Sequence, residues 1–395
     1  MNAAPPSTIA PPRPAAGWRV PFVRPDLPGY DEVESAFRRI VDSGLLTKGE
    51  ELRAFEEDVR QLTGAAHVVA VSSCTVGLAL GLRALHAMQE QADPRRPRTE
   101  VVLPSFTFLA APAAVVWAGL EPVFVDSDPR SWTVSPAAVE AAIGPRTAAI
   151  LACHTFGCPC DLSALEAIAD RAGIPLMIDA AHGLGTLVAG RQVGREGFAQ
   201  VFSLSPTKLV VAGEGGIVCT SSAAFAASLR EQREYGNDGH YGCTLPGLNG
   251  RLPELSAAMG RASLARLDGV RDRRTAVAEA YREMLGGVDG IGLQSIPAGC
   301  MSSWKDFSLS IDPERFGFDR DAVMEHLASR GIDTRAYYSP PCHRMAAFSG
   351  HHPADRPLPV TDRLAATSLS LPMGGHVTPA IARDIAADIL ARSEE

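Results

Sequence analysis

The sequence predicts an α/β fold with a mostly parallel central sheet flanked by helices. Short apolar runs bounded by Gly, Pro or Asp are the first observation behind this prediction. Continuous rather than alternating hydrophobicity is typical of strands that are buried on both faces. The second observation is that segments with helical spacing separate these runs, as they do in βαβ units.

The predicted elements alternate through the first part of the chain. Strands are predicted at 67–71, 101–103, 122–125, 149–152 and 174–178, and the helices between them at 78–90, 136–143 and 162–172. A long helical stretch at 253–285 follows. Beyond it, strands are predicted at 304–311 and 332–338 and helices at 320–330 and 378–393. We interpret this last part as a small α+β C-terminal domain.

The length of 395 residues suggests two or three domains at roughly 100–200 residues each. We predict a flexible Pro/Ala-rich tail at 1–17, a large α/β domain at 18–268 and a small domain at 269–395. The tail lacks the basic and apolar regions of a secretion signal. The uncharged stretch 101–120 contains two prolines, which favour a strand, a turn and a helix over a membrane span.

Charge and cysteine content narrow the class of protein. A net charge of -8 argues against a nucleic-acid or membrane-surface binder, which needs a basic footprint. Eight cysteines in a chain of this length are not a disulfide framework. Cys153, His154, Cys158 and Cys160 come nearest to a metal pattern, but no second ligand cluster follows them. We therefore expect free thiols, no metal site and a cytoplasmic enzyme.

Polar residues at the carboxyl ends of the predicted strands are the candidate site residues, because ligands of open α/β sheets bind there. The run 67–71 leads into Ser73 and Thr75 before a helix, which suits either an anion or simple helix capping. The run 174–178 ends at Asp179. A buried carboxylate there needs a cation or a strong donor, which a ligand or a structural ion pair can supply.

Two more strand ends complete the set. The run that ends at Ser203 is followed by Lys208, which in isolation would be read as a solvated side chain. Phe108 follows the run 101–103 and in isolation would be read as core. Together the four ends match the needs of pyridoxal 5'-phosphate (PLP). Its phosphate takes a helix N-terminus, its aldehyde a lysine, its pyridine nitrogen a carboxylate and its ring an aromatic side chain.

Nine ordered motifs, spread over about residues 20–395, carry a resemblance to a known family. They are TKGEELRAFEEDV (47–59), VAVSSCTVGLAL (69–80), LPSFTFLA (103–110), HTFGCPCDL (154–162), IDAAHGLG (178–185), FSLSPTKLVVAGEGG (202–216), REYGNDG (233–239), GLNGRLPELSAAMG (247–260) and the C-terminal GIDTRAYYSPPCHR with SLSLPM. With these motifs the chain resembles the DegT/DnrJ/EryC1/StrS sugar aminotransferases. That family has the PLP-dependent transferase fold of type I.

The resemblance implies roles for particular residues. Lys208 would bind the cofactor covalently and then move a proton, while Asp179 would pair with the pyridine nitrogen. His182 would lie by the ring hydroxyl, and Phe108 would stack on the ring. The phosphate would be held by Thr75, the backbone of Val76, Ser203 and, from the neighbouring subunit, Asn249.

The resemblance also implies a homodimer with composite sites, L-glutamate as amino donor and a nucleotide-linked keto sugar as acceptor. Lysine at position 208, where dehydratase relatives have histidine, predicts transamination. The S-x-S-P-T-K and H-T-F-G variants look like the branch that aminates C4, so we predict dTDP-4-keto-6-deoxy-D-glucose as substrate. A 3-keto nucleotide sugar, a cyclitol ketone or a non-catalytic relative are the alternatives. Arg251, Tyr337 and Tyr338 are candidates for substrate binding, each with a structural role as the alternative.

Two positions depart from the common family pattern. Cys74 stands where relatives have glycine before the phosphate-binding threonine, so the backbone is less free to approach there. The usual N-Y-R-M motif has glycine at 250 and leucine at 252, which leaves the orientation of Arg251 open.

Overall fold

The computed structural model describes residues 17–95 and 98–392, so all of the predicted tail except Gly17 lies outside the described residues. The strands are β1 (His67–Val71), β2 (Glu100–Pro104), β3 (Glu121–Val125), β4 (Thr147–Cys153), β5 (Leu176–Asp179), β6 (Leu187–Val188), β7 (Arg191–Gln192), β8 (Ala199–Ser203), β9 (Gly216–Thr220), β10 (Ile291–Leu293), β11 (Cys300–Met301), β12 (Phe307–Ile311) and β13 (Ser368–Leu371). The helices are α1 (Tyr30–Ser43), α2 (Glu50–Thr63), α3 (Cys74–Ala92), α4 (Ala110–Trp117), α5 (Pro136–Ala142), α6 (Leu162–Ala172), α7 (Ala223–Gln232), α8 (Glu254–Ala265), α9 (Leu267–Leu285), α10 (Pro313–Phe316), α11 (Arg320–Ser329), α12 (Pro359–Thr367) and α13 (Pro379–Arg392).

The main sheet has seven strands in the order β1-β9-β8-β5-β4-β2-β3. Its neighbours from β8 to β3 pair in parallel, whereas β9 runs antiparallel to both β1 and β8. The predicted α/β fold with a mostly parallel sheet is therefore confirmed. The five strands predicted first are all present, but β9 was not among the predicted strands.

Helix starts follow from local side-chain chemistry. Serine or aspartate precedes six of the helices, and its side chain accepts an N–H from the first turn, as N-capping residues do; Asp312 before α10 is one of them. The other five are Ser73, Ser135, Asp161, Ser222 and Asp319. Glycines in the left-handed conformation end α1, α2 and α6.

The main sheet is buried on both faces, which explains why its strands are continuously apolar. In β4, Ile150 and Ala152 belong to one hydrophobic cluster, and Ala149 and Leu151 belong to the cluster on the other face. Alternate side chains of a strand point to opposite faces, so both clusters draw on the same short run.

A second, antiparallel sheet of β10, β12 and β13 lies in the C-terminal part of the chain and has its own hydrophobic cluster with α9, α11 and α13. Helix α9 joins this cluster to the main one, since Val270 packs in the main cluster and Val277 in the second. Val20 also packs in the second cluster, beside Ile332. The domain boundary between 268 and 269 stays a prediction.

Two sequence predictions in this part were wrong in detail. The helical stretch at 253–285 is two helices, α8 and α9, interrupted at Arg266. The predicted strand at 332–338 does not form. Ile332 and Arg335 make isolated bridges to different partners. The Ser339 N–H donates to the Ala336 carbonyl at 2.9 Å, so the chain turns there. No helix within the described residues has the length and apolar character needed to cross a membrane.

Candidate active site

The register of the main sheet brings the predicted strand ends together. Gly216, the first residue of β9, pairs with both Val71 and Ser203, the last residues of β1 and β8. Asp179 ends β5, the next strand beyond β8, and pairs with Cys153 of β4. The carboxyl ends of β1, β4, β5 and β8 therefore share one edge of the sheet.

The N-terminus of α3 begins directly beyond β1. Ser73 caps the helix, because its Oγ accepts the Val76 N–H at 3.1 Å. That amide, which was predicted to hold the phosphate, therefore already has a partner. Within the described part of the chain, no hydrogen-bond acceptor is found for the amides of Cys74 and Thr75. These two N–H groups are the ones left to receive an anion at the helix start.

Gly216 holds the start of α3 close to the sheet. A Cβ atom at this position would lie 2.5 Å from the Ser73 carbonyl carbon and 2.6 Å from the Cys74 nitrogen. Only glycine permits this approach of β9 to α3. The Cys74 side chain turns inward from the same point, with Sγ 3.5 Å from the Val201 carbonyl oxygen.

Asp179 is buried, with one carboxylate oxygen engaged. Its Oδ1 accepts the Ala181 N–H at 3.0 Å and lies 3.8 Å from Cys74 Sγ. Burial raises the pKa of Asp179, although the Ala181 amide and the positive charge of Lys208 oppose that shift. No Lys or Arg forms an ion pair with it across residues 17–95 and 98–392, so the structural ion pair considered from the sequence is not found.

Lys208 lies in the turn that follows β8, with its N–H donating to the Ser205 carbonyl at 3.0 Å. Burial, with a smaller effect from the charge of Lys305, lowers the pKa of Lys208 to about 8. A lysine with this pKa is unprotonated in about a tenth of molecules at pH 7, far more than an ordinary lysine, and the neutral amine is the nucleophilic form.

His182 follows Asp179 by three residues and is also buried. Its Nδ1 accepts the Phe156 N–H at 3.1 Å, which leaves Nε2 as the protonated ring nitrogen when the ring is neutral. Burial, with help from Lys208, lowers the pKa of His182 well below its usual value. The side chain is therefore a neutral hydrogen-bond donor.

Phe108 is an apolar residue that is exposed, and Ser203 is a polar residue that is buried. The Phe108 side chain is 51% exposed although it follows a buried strand, so its ring faces are free to pack against a ligand. Ser203 is buried, and its Oγ lies 3.5 Å from that of Ser205. Both are compatible with the predicted roles, which stay predictions.

Asn249 and Arg251 lie in a separate segment beside the start of α3. Asn249 is exposed, and the Gly250 carbonyl accepts the Ser72 N–H of the same chain at 2.8 Å. Arg251 forms an ion pair with Glu234 at 2.9 Å and lies over the ring of Tyr235 at 5.5 Å. The structure therefore gives Arg251 partners within its own loop, and a substrate role for it stays a prediction.

The two tyrosines belong to an aromatic cluster. Tyr338 is buried and stacks on Phe156 with ring centroids 5.2 Å apart and planes at 11°. Tyr337 is half-buried and stacks in turn on Tyr338, with centroids 5.5 Å apart. These contacts explain Tyr338 as packing, whereas part of the Tyr337 surface remains open to a ligand.

The donors of this edge fit a phosphorylated pyridine aldehyde. The two amides at the start of α3 suit a phosphate, and a buried carboxylate without a cation suits a protonated pyridine nitrogen. Lys208 supplies an amine of lowered pKa on the same edge, and His182 a neutral donor. The residues that are present therefore match PLP.

Residues 30–390 match the model of the DegT/DnrJ/EryC1/StrS aminotransferase family. The chain belongs to this family. It is an aminotransferase with the type I fold of PLP-dependent transferases, which confirms the resemblance found in the sequence.

Relatives of this aminotransferase align over nearly the whole chain. It is 38% identical over 361 residues to the erythromycin biosynthesis sensory transduction protein EryC1 of Saccharopolyspora erythraea, covering 91% of this chain and 95% of EryC1. It is 37% identical over 365 residues to the dTDP-3-amino-3,4,6-trideoxy-alpha-D-glucose transaminase of Streptomyces venezuelae, covering 91% and 92%. The crystal structure of DesI with its TDP-sugar product superposes with a TM-score of 0.87 at 38% identity, covering 96% of this chain and 94% of DesI.

The sequence analysis of this aminotransferase missed one pair of residues at the site, Lys305 and Asp306. Both are buried, and Lys305 Nζ lies 2.8 Å from each carboxylate oxygen of Asp306. The composition could have drawn attention to Lys305, because only three of the 37 Lys and Arg residues are lysines, at positions 48, 208 and 305. In a chain that otherwise uses arginine, a lysine within the predicted strand 304–311 merits inspection.

Proposed function

We propose that this aminotransferase uses PLP to move the amino group of L-glutamate to a nucleotide-linked keto-deoxysugar. The observation that carries the proposal is one sheet edge with Lys208, a buried Asp179 lacking a cation, and unpaired amides at the start of α3. A non-catalytic relative would not need these three groups together, although EryC1 carries a regulatory name.

The chemistry expected of the chain's own residues follows from their protonation. PLP, when bound, supplies an electron sink for the bond broken at the donor's α carbon. Lys208, with its pKa lowered to about 8, can accept the proton from that carbon in the half-reaction with the donor and deliver a proton to the keto carbon in the half-reaction with the acceptor. A positioned general base contributes roughly 10²–10⁴-fold. Asp179 would stabilise a positive charge at the pyridine nitrogen of bound PLP, and His182 would supply an N–H donor to its ring hydroxyl.

We infer a homodimer with composite sites. Large apolar side chains are exposed at both ends of α4. Phe108 and Leu109 precede the helix on the side of the site, and Trp117 ends it toward the amino end of β3, with 78% of its surface exposed. A second copy of the chain would cover such a surface, since large exposed apolar patches are uncommon on monomers. Asn249 is exposed on the neighbouring segment, which suits a side chain that reaches into the partner's site.

For the acceptor, we propose dTDP-4-keto-6-deoxy-D-glucose, giving the 4-amino sugar. The support is the lysine-loop sequence around Lys208 and the H-T-F-G motif at 154–157. Amination at C3 is the second candidate, because the Streptomyces venezuelae relative is named for a 3-amino sugar. A dTDP-linked sugar is common to both candidates.

The experiment that tests this function uses the purified protein with PLP and L-glutamate. It is incubated with dTDP-4-keto-6-deoxyglucose and, separately, with the 3-keto isomer, and the products are assigned by NMR. We expect a new amine at C4 of the first substrate, with 2-oxoglutarate released in equal amount. An amine formed only at C3 would replace the C4 assignment. Absence of any amino sugar and of 2-oxoglutarate would contradict the proposed function.

A further inference from the structure

The segment that enters β12 docks on the site edge of the main sheet. Ser303 Oγ donates to the His182 carbonyl at 2.6 Å. The Asp306 N–H lies 3.4 Å from the Phe156 carbonyl, and the Phe156 N–H is the group bound by His182 Nδ1. Lys305, between Ser303 and Asp306, is thereby held next to His182.

Lys305 is buried with an incomplete set of partners. Its ammonium group has three N–H donors, and the two oxygens of Asp306 engage it at 2.8 Å each. The Tyr337 ring lies 5.9 Å from Nζ. No third hydrogen bond to Nζ is present within the described ranges, so one donor remains for a ligand.

The charges around this pair leave a net positive charge. Arg274 is buried, and it donates to the Trp304 and Lys305 carbonyls at 3.0 and 2.9 Å rather than to a carboxylate. Lys305 and Arg274 carry two positive charges against the one negative charge of Asp306. The charge of Asp26 also acts on Arg274, but that carboxylate is already paired with Arg266 and Arg273. Buried charges are normally compensated, so this cluster can accept one anion.

The amino donor brings such an anion to this place. Its carboxylate is bonded to the carbon that bears the reacting amine, so a group that binds it must lie near Lys208. Ser303, two residues before Lys305, donates to the His182 carbonyl at 2.6 Å, and the charge of Lys305 contributes to the lowered pKa of both Lys208 and His182. Thus Lys305 is near the atoms at which the donor reacts, and a keto sugar presents no carboxylate there.

We propose that Lys305, held in place by Asp306, binds a carboxylate of the amino donor. This inference rests on the proposed function, since it requires an amino acid as donor. It assigns the second buried lysine a task distinct from that of Lys208, namely recognition of the donor but not of the nucleotide sugar. The alternative is that the Lys305–Asp306 pair only stabilises the junction of the two sheets.

The test measures equilibrium binding of glutarate to the PLP-loaded protein by titration calorimetry. Glutarate has the two carboxylates of the donor but no amine, so it binds without reacting. The variants are K305R, K305M and the double variant K305M/D306N, which avoids leaving a buried carboxylate unpaired. R146M is the matched control, because Arg146 pairs with Glu100 and Glu121 at the opposite end of the sheet strands. Neutral glutaramide and dTDP serve as ligand controls.

We expect the dissociation constant for glutarate to rise at least about tenfold in K305M and in K305M/D306N, as for loss of a charged hydrogen bond. K305R keeps the positive charge but not the shape of the buried lysine, so it should weaken glutarate binding less than K305M does. Binding of dTDP should be unchanged in all variants. Wild-type glutarate affinity in the folded double variant would overturn the inference and leave the proposed function intact. Weakened dTDP binding with unchanged glutarate binding would also overturn it. A wild-type protein that binds no glutarate and releases no 2-oxoglutarate from L-glutamate would contradict both.

Discussion

Lys208 derives its proposed reactivity from where β8 ends. An ordinary lysine is almost fully protonated at neutral pH and is then neither a nucleophile nor a base. In the turn after β8 the side chain is half-buried, and burial together with Lys305 lowers its pKa to about 8. The free amine is the form that both binds an aldehyde and accepts a proton.

This lowered pKa can be measured on the cofactor-free protein. Acylation of Lys208, followed by peptide mapping at a series of pH values, should rise with pH and be half-maximal at about 8, because only the neutral amine reacts. The same measurement on the denatured protein should shift to the value of an ordinary lysine, roughly 10.4. Identical pH profiles for the folded and denatured protein would contradict the lowered pKa.

Asp179 can be tested with a substitution that keeps its shape. In D179N the side-chain oxygen can still accept the Ala181 N–H, but the negative charge is lost. Because burial already disfavours that charge, the free energy of unfolding of the cofactor-free protein should fall by less than about 1 kcal/mol. Turnover and PLP affinity should each fall at least about tenfold, for loss of a charged hydrogen bond. Undiminished turnover in D179N would refute the pairing with the pyridine nitrogen.

At the scale of elements, the site depends on how closely α3 approaches the sheet. A side chain at Gly216 would meet the backbone of Ser73 and Cys74, which cannot move without displacing the start of α3. We expect G216A to lose about 1–3 kcal/mol of unfolding free energy and at least about tenfold in PLP affinity. G144A is the control, because nothing lies within 4 Å of a Cβ atom there. Wild-type PLP affinity in G216A would show that the close approach is not needed.

Helix α2 depends on a distant carboxylate for its N-terminal capping. The buried Glu254 accepts the N–H groups of Gly49, Glu51 and Leu52 at 2.8, 2.9 and 3.2 Å. In E254A these donors lose their partner, and we expect the free energy of unfolding to fall by about 2–4 kcal/mol in denaturant titrations. E254Q keeps one carbonyl oxygen and should lose about half as much. A loss below about 0.5 kcal/mol in E254A would contradict the capping role.

The sequence predicted where the strands that carry the site residues end, but it did not predict the antiparallel strand β9 between two of them. The runs that end at Val71, Asp179 and Ser203 were recognisable because burial on both faces leaves an unbroken apolar signal. The apolar run of β9 carries the same signal, but its antiparallel direction depends on pairing with β1 and β8. Lys305 escaped notice because its importance comes from docking of the second sheet on His182, a contact between distant segments.

At the scale of the whole molecule, the composite site can be tested by mixing inactive subunits. Hybrid dimers are formed from K208A and N249A subunits, each expected to be inactive or nearly so. If Asn249 acts across the interface, each mixed dimer has one intact site, and activity should recover to about a quarter of wild type. If Asn249 serves its own chain, beside which Gly250 already contacts Ser72, the mixture should show no recovery.

The overall charge has a separate consequence. With a net charge of -8, the molecule as a whole does not attract anionic ligands, and local groups must bind them. The amides at the start of α3 and the buried pair of Lys305 and Arg274 are such groups. The net charge therefore argued against nucleic acids and membrane surfaces as partners, whereas the residues at the strand ends predicted PLP as the ligand.

The central claim is that Lys208 is the residue to which the cofactor attaches. Borohydride reduction of the PLP-loaded protein, followed by protease digestion and mass mapping, tests it most directly. With only three lysines in the chain, the assignment is unambiguous. We predict a single reduced phosphopyridoxyl adduct on Lys208, absent from K208A. An adduct on Lys48 or Lys305 with Lys208 unmodified, or none at all, would contradict the account.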